Sequence, residues 1–332
     1  MTKYKLAQLA EIKYGKDHKK LGKGSVPVYG TGGIMRYVND FIYEGESVLI
    51  PRKGSLNNLF YVHGKFWTVD TIFWTKIDSK IVLPRYLYYY LSRIDLTSYN
   101  VGSAVPSLTI SLLNELVLDI PPISVQKDVV NKLTAIENKI KINEQINDNL
   151  AETKSAIFNE LFDSKLANGL NGKLQDITDL KTGKRPKSKF NQRDSKAIYP
   201  IIGATKVMGF TTDYLYDESV ITIGRVGTHG VVQRYREPIW VSDNTFIFLS
   251  EHEDYLYELL SHRIKYSSLN VGSTQPLITQ SDLKNVDIYV PTKQEFSIFE
   301  ERTSALTKYQ FKLNKQNSTL KALQNSLLDK YF

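Results

Sequence analysis

The sequence predicts an α+β fold: two similar mixed α/β domains separated by two long helices that pair as an antiparallel coiled coil, an internal pseudo-two-fold repeat. Three observations predict it. NVGSAVPSLT at 100–109 returns as NVGSTQPLIT at 270–279. Short runs rich in aromatic and β-branched residues, bounded by Gly, Pro, Asn and Asp, occur in the same order in both halves and read as strands and turns. A long segment with helical periodicity then closes each half, and the first of these has neither Gly nor Pro from Gln126 to Phe162.

The repeat extends well beyond the opening motif. Residues 100–121 match 270–291 without a gap at nine of 22 positions. A second ungapped block, at a shift of 173, places Pro27 on Pro200, Gly30 on Gly203, Met35 on Met208, Arg52 on Arg225 and Gly54 on Gly227. The same shift sets WTVDTIFWT at 67–75 on WVSDNTFIF at 240–248, and KLAQLAEIKYGK at 5–16 falls on KLQDITDLKTGK at 173–184. Preserved order across so many blocks identifies a tandem duplication.

Each half opens with an apolar segment and a basic loop. Strand-like runs follow: VPVYG, SVLIP, LFYVHG and FWTVDTIFW in the first half, YPIIG, SVITIG, GVVQRY and IWVSDNTFIFL in the second. Then come a helical segment (PRYLYYYLSRI or EDYLYELLSHRI), the Gly-Ser-x-x-Pro turn, and a last strand ending in IPP or VP. The expected domains are 1–122, a central long helix over 123–165, a second domain over 166–292 and a C-terminal long helix over 293–332. Ile136, Ile146, Leu150, Ile157 and Leu161 form one helical stripe. Leu306, Tyr309, Leu313, Leu320, Leu323 and Leu327 form the other, with the 3-4 spacing of a coiled-coil seam. Asn143 and Gln316 place polar groups on the stripes, where they would fix register. A helix of this length needs a partner, most simply its own repeat, and SKLANGLNGK at 164–173 permits the reversal.

Composition narrows the function. The 332 residues are 42% hydrophobic, enough for two cores, and contain no cysteine, which removes disulfides and thiolate metal sites. No apolar run approaches the ~20 residues that span a bilayer, and the N-terminus lacks the apolar core of a signal peptide. A cytoplasmic protein of bacterial, archaeal or phage origin is expected. The formal charge of +8 suggests a polyanionic partner, and the excess is gathered in clusters.

Catalytic signatures are missing. There is no GxxxxGK[ST], no GxSxG and no metal-type spacing among His18, His63, His229, His252 and His262. YGTGG at 29–33 lacks the dinucleotide spacing, and in IPPI at 120–123 Ile120, not the Asn or Asp of an amino-methyltransferase loop, stands immediately before the prolines. The candidate catalytic and metal sets are empty, and no cofactor is expected on the chain itself.

Binding remains. Lys16, Lys19 and Lys20 cluster in the first basic loop, and Lys184, Arg185, Lys187 and Lys189 in the second, at equivalent places. A solvated surface loop would explain one such cluster; its recurrence favours phosphate contact. The turns PRKGSLNN at 51–58 and GRVGTHG at 224–230 set Arg52, Lys53, Ser55, Asn57 and Asn58, and Arg225, Thr228 and His229, beside glycines. Glycine lets backbone approach a ligand, and Arg and Asn can fork to purine edges. Thr31, Thr205 and Lys206 flank the glycine turns and complete the candidate DNA-binding set. Ser103 and Ser273 either touch phosphate or cap a helix.

Gly-Ser-x-x-Pro, an apolar strand, IPP or VP, a nearby Gln (Gln126, Gln294) and a long helix, all twice per chain, resemble the specificity subunit of type I restriction–modification systems. The resemblance covers essentially the whole chain. It implies two target-recognition domains, each reading half of a bipartite double-stranded DNA site, with the helices acting as a ruler. It implies no catalysis by the subunit itself. Two modification subunits would dock on it, binding S-adenosylmethionine and methylating adenine, and a restriction subunit using ATP and Mg could join. At 332 residues the chain is short for such a subunit, which leaves the base-contacting positions less defined than the basic loops. Two other readings stay open: a scaffold whose globules bind protein, and an anti-restriction decoy that occupies the methyltransferase. A DNA mimic should be acidic, and the chain is basic.

Overall fold

The computed structural model describes residues 1–101, 105–226, 230–269 and 277–332. The chain forms two compact units, Met1–Ile142 with Gln316–Phe332, and Asn143–Lys315. Two long helices, the central helix Ile123–Asn168 and the C-terminal helix Lys293–Tyr331, each contribute a segment to both units. Among the described residues no helix is long and apolar enough to cross a membrane.

The first unit is built on a six-stranded sheet in the order Ala10–Tyr14, Ile72–Ile77, Tyr43–Pro51, Phe60–Thr68, Lys23–Gly30, Gly33–Val38. Its pairings are antiparallel except one, where Val28 faces Trp67 in parallel register. Strand Tyr43–Pro51 lies inside the sheet, so its last five residues, Ser47 to Pro51, are all buried and read as an unbroken run. Ser47 is tolerated there because its hydroxyl donates to the Thr75 carbonyl at 2.8 Å. Helix Pro84–Arg93 packs Tyr86, Leu87, Tyr89 and Leu91 into a core shared with Leu6, Val48, Ile50, Phe73 and Leu118. Full burial of each such side chain contributes roughly 1.5–3 kcal/mol.

The chain leaves this unit after the recurring motif. Thr109 caps the short helix Ile110–Asn114 by accepting from the Leu112 amide. Strand Val117–Ile120 then pairs with the chain's own first strand, Thr2–Lys5, before the central helix begins. Gln126, fully buried, clamps that exit: it donates to the carbonyls of Ile81 and Pro121 and accepts from the Leu83 amide at 2.8 Å.

The second unit repeats the plan. A four-stranded sheet runs Asp179–Thr182, Thr245–Leu249, Val220–Gly224, Gln233–Tyr235, and a three-stranded one runs Val207–Thr211, Tyr199–Ile202, Trp240–Val241. Gly172–Lys173 pairs with Asp287–Ile288, and Thr279 caps the helix Gln280–Lys284 as Thr109 does in the first unit. The core gathers Phe158, Phe162, Phe246, Phe248, Tyr255 and Phe299. Gln294 is exposed and is not the counterpart of Gln126. That place belongs to Phe296, whose ring stacks on His252 at 3.5 Å.

Within each unit the helix segments pair antiparallel. In the first, Gln324 donates to Glu137 and Asn317 to the Ile140 carbonyl. In the second, Gln310 donates to the Asn147 carbonyl, Arg302 to Glu160, and Lys165 pairs with Glu295. Burial opposes the charge of Glu295, but Lys165, the Thr292 amide and the Tyr289 hydroxyl outweigh it and hold the carboxyl at about 2. The seam differs from the apolar stripes of the sequence. Tyr309 and Leu323 are exposed, whereas Asn143, Lys154, Thr303, Thr307 and Asn317 are buried. A pattern read from apolar residues alone passes over seam positions filled by polar ones. Asn143 is on the seam; Gln316 is exposed, and its neighbour Asn317 takes the inward place.

Candidate nucleic-acid interface

In the first unit three loops meet around the turn at 68–71. Gly15 lets the chain cross that turn closely: a Cβ there would stand 2.0 Å from the Val69 carbonyl oxygen. The Lys16 amide donates to the Thr68 carbonyl at 2.9 Å, and the Trp67 indole donates to the Lys16 carbonyl at 3.0 Å. The basic loop therefore leaves the sheet with its backbone pinned and its side chains outward; Lys16, Lys19 and Lys20 are exposed. Asp17 accepts from the Lys19 amide, and that hydrogen bond holds its carboxyl below the usual range. Lys19, Thr31, Asp17, His18 and Asp70 line one cavity of about 640 Å³.

The other two loops are tied to this one. The Arg52 amide donates to the Thr71 carbonyl at 2.8 Å, and its guanidinium reaches the Asp70 carbonyl at 3.4 Å while lying over the Tyr14 ring. Asn58 donates to the Thr31 carbonyl at 2.6 Å, joining the 51–58 turn to the glycine turn. Gly54 takes φ +86°, a conformation that favours glycine, and the exposed Lys53 and Ser55 flank it. Asn57 is spent inside the unit: its amide donates to Asp95 and accepts from the Leu96 amide. It positions the turn, with one amide hydrogen and one carbonyl lone pair committed there. Residues of the recurring motif brace the same turn, Pro106 accepting from the Gly54 amide and Leu108 donating to the Arg52 carbonyl.

The second unit repeats the backbone and indole bonds of this frame, while Val231 stands where Asn58 ties the first unit's turn to Thr31. Gly183 stands where Gly15 does, its absent Cβ 2.2 Å from the Ser242 carbonyl oxygen. Lys184 donates to the Val241 carbonyl at 2.9 Å, and the Trp240 indole donates to the Lys184 carbonyl at 2.7 Å. The Arg225 amide donates to the Asn244 carbonyl, and Ile278 to the Arg225 carbonyl. Lys184, Arg185, Lys187 and Lys189 are exposed on the loop, and Thr205 and Lys206 on the glycine turn. Thr228 and His229 lie outside the described residues, as do Ser103 and Ser273.

Among the described residues none of Lys16, Lys19, Lys20, Lys184, Lys187 or Lys189 forms an ion pair, and Arg185 meets only the half-exposed Asp243 at 3.3 Å. Such surface cations, on loops whose backbone is fixed, suit contact with phosphate. The tips differ between units. Asp17 and His18 in one stand where Arg185 and Pro186 stand in the other. The sequence missed the indole anchors Trp67 and Trp240 and the close-approach glycines Gly15 and Gly183. The one signal in the sequence was the Trp shared by the aligned WTVD and WVSD. Among the described residues no group of acidic or histidine side chains could hold a metal ion.

A family profile described as the type I restriction modification DNA specificity domain matches residues 1–152 and again 171–323. A Mycoplasma pneumoniae protein named as a type I specificity subunit is 24% identical over 311 residues, covering 87% of this chain and 84% of that protein. A type I restriction enzyme specificity subunit of Methanocaldococcus jannaschii is 23% identical over 313 residues, covering 80% and 73%. The crystal structure of a type I restriction–modification S subunit from M. genitalium matches in fold with a TM-score of 0.70 at 16% identity, over 100% of this chain and 96% of that one.

Proposed function

Because the chain belongs to the family of type I restriction–modification specificity subunits, with its DNA specificity domain present twice, we propose that each unit reads one half of a bipartite duplex target. The observation that carries this is the twin frame: one set of backbone and indole hydrogen bonds, built twice, holding basic loops whose tips differ. Identical frames give both units the same approach to the phosphate backbone, and different tips give them different bases to read. The exposed lysines take the phosphate role. Arg52 and Arg225, half-buried and fixed at their backbone amides, take the base-reading role.

On this reading the paired helices set the spacer between the half-sites and dock two modification subunits. Those subunits would supply S-adenosylmethionine and adenine methylation, and a restriction subunit would bring ATP and Mg; the chain supplies recognition alone. Arg52→Ala is expected to relax the methylated motif at one half-site, and Arg225→Ala at the other. A lost bidentate contact to guanine costs about 1–3 kcal/mol of discrimination, or roughly 5- to 150-fold. Mapping methylated bases in cells that carry each variant with its modification subunit checks this. Relaxation of both halves by one substitution would contradict independent reading.

A further inference from the structure

Each unit gathers a polar cluster where its recognition domain meets the helices, buried in the second unit and partly exposed in the first. In the second unit Arg234 pairs with Asp254 at 2.5 Å, the two side chains being 5% and 9% exposed. Asp254 also accepts from Thr307 at 2.7 Å and Thr303 at 3.3 Å on the C-terminal helix. Lys154 of the central helix, 3% exposed, donates to Thr307 at 3.3 Å and lies over the Tyr257 ring. Glu258 is equally buried, 3.5 Å from His262, and its burial pushes the carboxyl up to about 7 against the pull of Lys154 and Arg234.

The first unit has the same cluster with different residues. Aligned through PRYLYYYLSR and EDYLYELLSH, Arg85 takes the place of Asp254 and Tyr89 that of Glu258. The repeat likewise sets Tyr61 at Arg234, Glu137 at Thr307 and Gln324 at Lys154. The contacts follow the alignment. Arg85 pairs with Glu137 at 2.8 Å and lies over the Tyr61 ring at 4.9 Å. Gln324 donates to Glu137, as Lys154 donates to Thr307.

The polarity is opposite. In the first unit the domain brings the cation, Arg85, and the helices bring the anion, Glu137. In the second the helices bring the cation, Lys154, and the domain brings three carboxylates, Glu253, Asp254 and Glu258, against two guanidiniums, Arg234 and Arg236. A second-unit domain seated on the first unit's helix segments would set Asp254 and Glu258 against Glu137, with Gln324 in place of the lysine. A first-unit domain on the second unit's segments would set Arg85 against Lys154. Both wrong pairings oppose like charges; the cost is greatest at the second unit's buried junction, where an uncompensated charge destabilises far more than a matched pair stabilises, and smaller at the first, where Arg85 and Glu137 are 32% and 26% exposed. The device therefore discriminates more than it strengthens.

We propose that the two junctions are charge-inverted locks that fix which recognition domain sits on which helix segments, and so, on the reading of function above, the order of the two half-sites. The full chain with residues 1–122 and 166–292 exchanged tests this by its thermal midpoint. The exchanged chain should melt lower by on the order of 10 °C. Adding Glu137→Thr, Gln324→Lys, Thr307→Glu and Lys154→Gln should recover most of that loss and yield the methylated motif with its halves reversed. An exchanged chain as stable as the original, or one that the four substitutions fail to recover, overturns the lock. Should the exchange not fold, the original order decides. Glu137→Arg should lower the midpoint and Arg85→Glu in the same chain restore it, and a double variant no better than the single one overturns the proposal. The midpoint requires no DNA. If it follows this pattern while no variant directs sequence-specific methylation, the lock stands and the DNA reading falls.

Discussion

Replacing Lys184, Arg185 and Lys187 together with alanine is expected to weaken binding of the complex to every duplex, whatever its sequence. Three lost phosphate contacts correspond to on the order of 10²-fold in affinity near ~0.15 M salt, and to a salt slope shallower by about 3. The side chains are exposed, and neither lysine is ion-paired among the described residues. The single pair they make, Arg185 with Asp243, is solvent-exposed at the arginine and adds little to stability. The loop backbone is held independently, by the Lys184 amide on Val241 and the Trp240 indole on the Lys184 carbonyl. The triple variant should therefore keep its fold and its thermal midpoint. Titration of the specific duplex and a scrambled one across a salt series checks it. Unchanged affinity would remove the phosphate role, and a loss confined to the specific duplex would make these residues base readers.

The second large effect is expected from Gly15→Ala. The new methyl would stand 2.0 Å from the Val69 carbonyl oxygen and 2.6 Å from that of Thr68, both backbone atoms of the turn that anchors the basic loop. Overpacking of this kind costs about 1–3 kcal/mol, and here no flexible side chain can move aside. The strand end must lift, breaking the Lys16 amide and Trp67 indole bonds with it. Expected results are a midpoint lower by several degrees, at about 2–4 °C per kcal/mol, and at least a tenfold loss of methylation at targets. Gly32→Ala is the control, because nothing lies within 4 Å of the position its Cβ would take. Equal behaviour of the two variants would show that the loop is not held as described.

Much of the fold was legible because duplication doubles every local signal. A lone Gly-Ser-x-x-Pro turn says little, whereas its return with flanking strands and helices in order defines two domains and two long helices. The sequence offered Ser103 and Ser273 as caps; among the described residues the caps in this region are Thr109 and Thr279, each just before a short helix. The helix seam was less legible. Its inward positions include Lys154, Thr303, Thr307 and Asn317, whose burial depends on partners from distant segments that no periodicity displays. Gln126 shows the same limit: its clamp needs carbonyls at 81 and 121 and an amide at 83, brought together only by the fold. In the candidate interface the lysine clusters were visible as charge. That Asn57 serves the turn, and that two tryptophans hold the loops, required tertiary contacts.

The claim that two independently reading domains sit in one non-catalytic chain is tested most directly by the methylation pattern it directs. The chain, expressed with its modification subunit in a host lacking both, should mark adenines in one motif of two short defined halves separated by a fixed run of unspecified bases. A contiguous motif, halves at variable separation, or methylation without sequence preference would contradict it.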